Sequence, residues 1–443
     1  MNNSSTDNIY CLDGKIPVKQ AIPFGLQHIL AMFVANIAPI FIVAGACGLS
    51  SEQSAMLIQS AMLIAGIGTL IQLFPLWKIG SGLPIVMGIS FTFVSIMCFV
   101  GPTYGYNAII GAVLVGGLIE GVLGLLAKYW LKLITPIVSA SVVTAIGFSL
   151  LSVGAASFGG GSGSENFGSV TNWVLGSVTL LCCILFNIFA KSYWKQLSVL
   201  FGLIVGYIVA IFMGVVDFSA LNSTSIVTLP SIMPFKPEFN INAIISVTLI
   251  FLVSATETIG DTSALAATGL NRNTTVKETS GSIACDGFIS ALSSVFGCLP
   301  ITSFSQNVGL VTMTKVVNRY AFTMGAIFLI IAGFCPKLAA IVNVMPQSVL
   351  GGAAVMMFSS IVVSGIQLIT KWPIGPRNVT IVSVALGLGY GLGSNTAILV
   401  HLPQAISLIF GGSGIVPAAV FAIILNIVLD IVLVDCLQVL FEV

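Results

Sequence analysis

The sequence predicts an all-α polytopic membrane protein, and three observations predict it. Long apolar stretches recur from end to end, charged residues make up 7% of the chain against 57% hydrophobic, and basic residues cluster on alternate connections. A stretch of about 20 apolar residues is the length that crosses about 30 Å of hydrocarbon. Inside lipid an α-helix satisfies its own backbone, so the stretches read as a helix bundle. A soluble domain carries about 25% charged residues, and this chain has too few to face water on all sides.

About fourteen such stretches are expected. The first seven run near 22–46, 54–76, 84–100, 105–127, 133–152, 170–190 and 196–216. A polar, proline-containing connection from Asp217 to Asn240 follows. The second seven run near 242–264, 281–297, 301–317, 320–340, 347–369, 376–399 and 414–437. Residues 1–21 form a polar tail without the charged-then-apolar layout of a cleaved signal peptide, so the first stretch is expected to stay in the mature protein.

Charge placement tests this count. With the N-terminus in the cytoplasm, Lys15, Lys19, Lys78, Lys128, Lys132, Lys191, Lys195, Arg272, Lys277, Lys315, Arg319, Lys371 and Arg377 all fall inside. Only Lys236 and Lys337 fall outside, so 13 of the 15 basic residues obey the positive-inside rule. Removing one stretch would reverse everything after it. Both termini are therefore expected on the cytoplasmic side of a bacterial inner membrane.

The formal net charge of +1 excludes a polyelectrolyte partner, and no basic run suggests nucleic acid. The nine cysteines are scattered, with no metal-ligand spacing and an odd count that argues against a disulfide framework. No metal or other cofactor is expected. A nucleophile–base constellation is missing as well, which argues against an enzyme.

Two stretches do not read as ordinary spanning helices. Both begin Leu-Pro-Ile, at Leu83 and at Leu299, and continue with Ser, Thr, Phe or Gly before becoming helix-like. Proline followed by β-branched and small polar residues favours a short strand that breaks into a half-helix. Each is the third stretch of its set of seven, and because seven is odd the second set is inverted relative to the first. Interrupted segments at matching positions of two halves point to a transporter's binding site.

Ionisable groups deep in a span cost several kcal/mol and face a cavity or a partner. Glu257 and Asp261 are four apart and so lie on one helix face. Asp286 lies early in the ninth stretch, and His28 follows Gln27 in the first. These four are candidates for proton coupling or for bracing the site, since carboxylates and imidazole bind and release protons. Glu120 stands on a glycine-rich face with Gly116, Gly117, Gly121 and Gly124. It reads as helix packing or a snorkelling pair with Lys128.

The run Gln306-Asn307-Val308-Gly309 to Thr314-Lys315 resembles the signature of the nucleobase–ascorbate transporter (nucleobase:cation symporter) family. In that signature Gln, Glu or Pro precedes Asn, then Gly, and after four residues Thr and Arg, Lys or Gly. The Gln27-His28 pair, Glu257 with Gly260-Asp261, and Asp286-Gly287 match further family elements in the same order. Uracil carriers of the family tend to have Glu at the first signature position and His where Asp261 stands, so the chain resembles the xanthine and urate branch.

The resemblance implies fourteen spans as two inverted repeats of seven, divided between a core domain (22–127 and 241–340) and a gate domain (133–216 and 347–437). It implies short antiparallel strands meeting at mid-membrane, a homodimer, and a core that moves past the gate. It also implies proton-coupled uptake of a purine base, xanthine or uric acid. Glu257 would accept from ring N–H groups and the Gln306 amide would both donate and accept. Phe91 would stack on the ring, Ser90 or Phe93 would shape its far edge, Ser305 would stand among the substrate-binding residues, and Asn307 would brace the site. The sequence leaves sodium coupling open, and with it a uracil carrier and a sulfate- or bicarbonate-type anion carrier of related fold.

Overall fold

The computed structural model describes residues 7–131, 134–161, 163–191, 193–218, 225–399, 401–402, 410 and 414–441. Lys132 and the start of the fifth expected stretch lie outside them. Within them the chain is overwhelmingly helical. Seven helices are long and apolar enough to cross a membrane, or eight if one bent pair counts as a single span.

The helices of eight residues or more are α1 (Val18–Ala46), α2 (Ser51–Leu73), α3 (Val94–Tyr104), α4 (Tyr106–Leu125), α5 (Pro136–Phe158), α6 (Val170–Phe189) and α7 (Ser198–Phe212). They continue with α8 (Ile241–Gly269), α9 (Val276–Val295), α10 (Ser305–Thr314), α11 (Arg319–Gly333), α12 (Pro336–Asn343), α13 (Gln347–Thr370), α14 (Pro376–Ser394) and α15 (Ile415–Phe441). The eleventh expected stretch differs from its reading as one helix. It breaks into α11 and α12 at an angle of 81°, because Pro336 has no N–H to give the preceding turn and disfavours helix at Cys335.

At both Leu-Pro-Ile sites the chain leaves the helix. Strand β1 (Met87–Ile89) pairs antiparallel with β2 (Ile301–Ser303), with Met87 opposite Ser303 and Ile89 opposite Ile301. Each strand feeds a half-helix, β1 through a 3₁₀ turn at Phe91–Phe93 into α3, and β2 into α10. Strand groups without a ladder partner bond side chains. Met87 N–H donates to Thr69 Oγ1 at 2.9 Å, and Ile89 N–H to Asn36 Oδ1 at 2.7 Å. Buried backbone in a membrane must be satisfied within the protein, and here it is.

The helices pack as two sets. In one, α2 lies on α11, α9 on α4, α1 on α11 and α8 on α4. In the other, α13 lies on α5, α6 on α7 and α14 on α15. Glycines make the close approaches possible. A Cβ at Gly287 of α9 would run into the backbone of Gly117 and Gly121 of α4.

Candidate functional site

The crossing of β1 and β2 aims the N-termini of two half-helices at one place beside α8. Phe304 N–H donates to Val86 C=O at 3.0 Å and Ser90 N–H to Pro300 C=O at 3.1 Å, extending the pairing to the residues that begin each half-helix. Ser90 and Phe91 therefore face Ser305 and Gln306. Glu257 and Asp261 stand on the α8 wall, as their four-residue spacing requires.

Glu257 accepts from Thr92 Oγ1 at 2.6 Å and lies 3.2 Å from Ser305 Oγ. The same Ser305 hydroxyl is 2.7 Å from Asp261 Oδ2. Glu257, Asp261 and Ser305 border a cavity of about 500 Å³ lined also by Ser90, Phe91, Gln306, Met356 and Met357. Phe91 meets Phe358 of α13 edge-on, with ring centroids 5.2 Å apart. From Phe358 the helix continues 13 residues to Lys371, about 20 Å at 1.5 Å per residue. Lys371 and Lys195 line the far end of the cavity, which thus runs from the strand crossing toward the end carrying Lys371.

Asp286 is buried behind the strands rather than on the cavity. It accepts from Thr258 Oγ1 at 2.6 Å, Ser303 N–H at 3.0 Å, Ser303 Oγ at 3.0 Å and Gln72 Nε2 at 3.2 Å. Gln72 uses its other end too, its Oε1 accepting from Ser81 N–H and Ser81 Oγ, each at 2.9 Å. His28 is also buried, with Nδ1 2.6 Å from Asn307 Oδ1 and its ring 4.2 Å from that of Phe322. Asn307 Nδ2 donates to Pro84 C=O at 3.2 Å, so Asn307 ties α1 to the lead-in of β1 and turns away from the cavity.

The structure thus gathers Ser90, Phe91, Glu257, Asp261, Ser305 and Gln306 at the cavity. It sets His28, Asp286 and Asn307 behind it, and Phe93 does not reach the cavity edge because its ring is buried against Phe251 of α8, with centroids 4.5 Å apart. Sequence reasoning missed Thr92, Gln72, Ser303 and Thr258. Thr92 sits inside the broken segment one residue from Phe91, which was the available signal. Gln72 offered only its polarity in an apolar stretch. The snorkelling pair expected for Glu120 is not formed. Glu120 is fully buried between α4, α8 and α9, and Lys128 lies over the Tyr129 ring at 4.6 Å.

A bundle of apolar helices interrupted by two crossed strands, with paired carboxylates on a central cavity, defines an integral membrane transporter. Residues 19–398 match the profile of a permease family, Xan_ur_permease, and the chain belongs to that family. It is 32% identical over 444 residues to the xanthine permease XanQ of Escherichia coli strain K12, covering 97% of this chain and 95% of XanQ. It is 36% identical over 414 residues to the uric acid permease PucK of Bacillus subtilis strain 168, covering 92% and 95% respectively. Its fold is similar to the transmembrane domain of the cyanobacterial bicarbonate transporter BicA, with a TM-score of 0.56 at 15% identity over 93% of this chain and 97% of that one.

Proposed function

We propose that the chain is a secondary active transporter that takes up a purine base, xanthine or uric acid, together with protons. The observation that carries this reading is the placement of Glu257 on the cavity wall facing Ser90, Phe91 and the start of α10. An ionised carboxylate there accepts from purine ring N–H groups. The Gln306 amide and the first N–H groups of α10 supply donors to the ring carbonyls, where the helix dipole favours partial negative charge. Phe91 covers the ring face, while Ser90 and Ser305 border its edge. The family's xanthine and uric acid permeases support the substrate class. A carboxylate pair on the cavity wall opposes a simple inorganic anion, which argues against bicarbonate-type transport on this fold.

The packing also supports fourteen spans in two inverted repeats. Adding seven to each expected span number exchanges the contact of α2 with α11 for that of α9 with α4. It exchanges α1 on α11 for α8 on α4, and α6 on α7 for α14 on α15, while α5 on α13 and β1 on β2 map onto themselves. In this reading the set containing both strands is the core domain and the other set is the gate. The core carries substrate past the gate in an elevator motion, within a homodimer in the inner membrane and with both termini cytoplasmic. The cavity then opens to the cytoplasm, because Lys195 and Lys371 lie at its mouth. Counterflow of labelled xanthine in proteoliposomes tests the proposal, since a channel or an enzyme gives none.

A further inference from the structure

Resting on that reading, we propose that the coupling proton is held between Glu257 and Asp261 and relayed by the Ser305 hydroxyl, while Asp286 is a fixed anionic brace and His28 a neutral one. The argument is a count of hydrogens. Ser305 Oγ has one hydrogen to give and two lone pairs to accept with. It lies 2.7 Å from Asp261 Oδ2 and 3.2 Å from Glu257 Oε1. With both carboxylates ionised, the hydroxyl donates to one and turns lone pairs on the other, with no cation bonded to either among the described residues.

One proton on the pair removes the conflict. Asp261 O–H then donates to Ser305 Oγ, Ser305 O–H donates to Glu257 Oε1, and Thr92 O–H donates to Glu257 Oε2, as its 2.6 Å separation requires. If Ser305 passes its hydrogen to Glu257 and takes the one from Asp261, the proton has crossed from one carboxyl to the other. Atoms and charge balance, and nothing else need move. The proton thereby reaches Glu257, the carboxylate that meets substrate. Two carboxylates sharing one site commonly hold a single proton between them.

The other candidates lack this arithmetic. Asp286 receives four donor contacts, from Thr258, Ser303 twice, and Gln72, and all of them suit an anion. Asn307 Nδ2 is committed to Pro84 C=O, so its Oδ1 accepts from His28 Nδ1–H. His28 Nε2 is buried with no partner, and a second N–H there would be unpaired at a cost of about 1–3 kcal/mol. The remaining titratable groups around the pair are Glu120 on α4 and, at the cavity's far end, Lys195 and Lys371.

Infrared spectra of the purified protein test the shared proton without reference to substrate. A carboxylic-acid carbonyl band should disappear in Asp261→Asn and change frequency in Ser305→Ala, while Asp286→Asn leaves it in place. Any band from Glu120 persists in all three. In proteoliposomes, the pH midpoint of xanthine-driven proton uptake should move by about one unit, tenfold in proton concentration, in Ser305→Ala. It should return in Ser305→Thr and stay put in Asp286→Asn even where the rate falls. A band lost in Asp286→Asn, or a midpoint unmoved in Ser305→Ala, would overturn the proposal. Wild-type protein with the band but no xanthine counterflow would overturn the transport reading alone. Counterflow without proton movement would overturn the coupling role.

Discussion

His28 Nδ1 and Asn307 Oδ1 lie 2.6 Å apart although 279 residues separate them in the chain. Through this bond and that from Asn307 Nδ2 to Pro84 C=O, the first helix, the lead-in of β1 and the signature half-helix become one unit. The two half-helices whose N-termini face the cavity are thereby fixed relative to one another.

Asn307→Ala leaves His28 Nδ1–H and Pro84 C=O unpaired in the interior, at about 1–3 kcal/mol each. The expected result is a lower unfolding temperature in detergent together with at least tenfold slower uptake. Asn307→Asp keeps the acceptor for His28 and is expected to fall between the two. Thermal unfolding and uptake measured on the same preparations check the ranking.

Gln72 offers a test of the brace that does not touch the cavity. Gln72→Leu removes a donor from Asp286 and the acceptor used by Ser81, again about 1–3 kcal/mol for each group left unpaired. Gln72→Glu sets a second carboxyl beside Asp286 and is expected to destabilise further at neutral pH than at acid pH. Unfolding midpoints across pH for the two variants measure this difference.

Gly287→Ala places a methyl group against the backbone of Gly117 and Gly121. Overpacking of this kind costs about 1–3 kcal/mol, and α9 carries Asp286 on the adjacent position. Reduced thermal stability is expected together with slower transport, whereas Gly260→Ala, where a Cβ has open space, should leave stability near that of the wild type.

At the start of α9, outside the apolar span, Glu278 closes a capping box with Thr275 and pairs with Arg272. Burial alone pushes its carboxyl up, but donors from Arg272 and Thr275 outweigh burial and hold it at about 2, below the ordinary 4.5. Because the folded value is depressed, its contribution is complete above pH 4.5 and is lost as pH falls toward 2. The stability difference between wild type and Glu278→Ala should be constant from pH 7 to 5 and shrink below that. Paired melts at stepped pH check it.

Much of the site was legible because its members are close in sequence or share one helix face. Glu257 and Asp261 are a turn apart, and Ser305 and Gln306 adjoin in a segment whose Leu-Pro-Ile start marks it as broken. What was not legible comes from convergence of distant elements. Asp286 draws its donors from α2, α8 and β2, and no local pattern joins Gln72 to it. Thr92 becomes a partner of Glu257 only when β1 crosses β2. The bend before Pro336 was hidden by continuous apolar composition, which reports burial in lipid but not helix direction. Of the two readings of Glu120, packing on the glycine-rich face holds and the pair with Lys128 does not, because tertiary packing turns the side chain inward.

The most direct test of the central claim is uptake of labelled xanthine and urate by cells expressing the protein, with and without a protonophore, for wild type and Glu257→Gln. Saturable uptake of either purine that collapses with the protonophore, and is reduced at least tenfold in Glu257→Gln, is the predicted result. Uptake of uracil alone, or purine uptake indifferent to both the protonophore and Glu257→Gln, would contradict it.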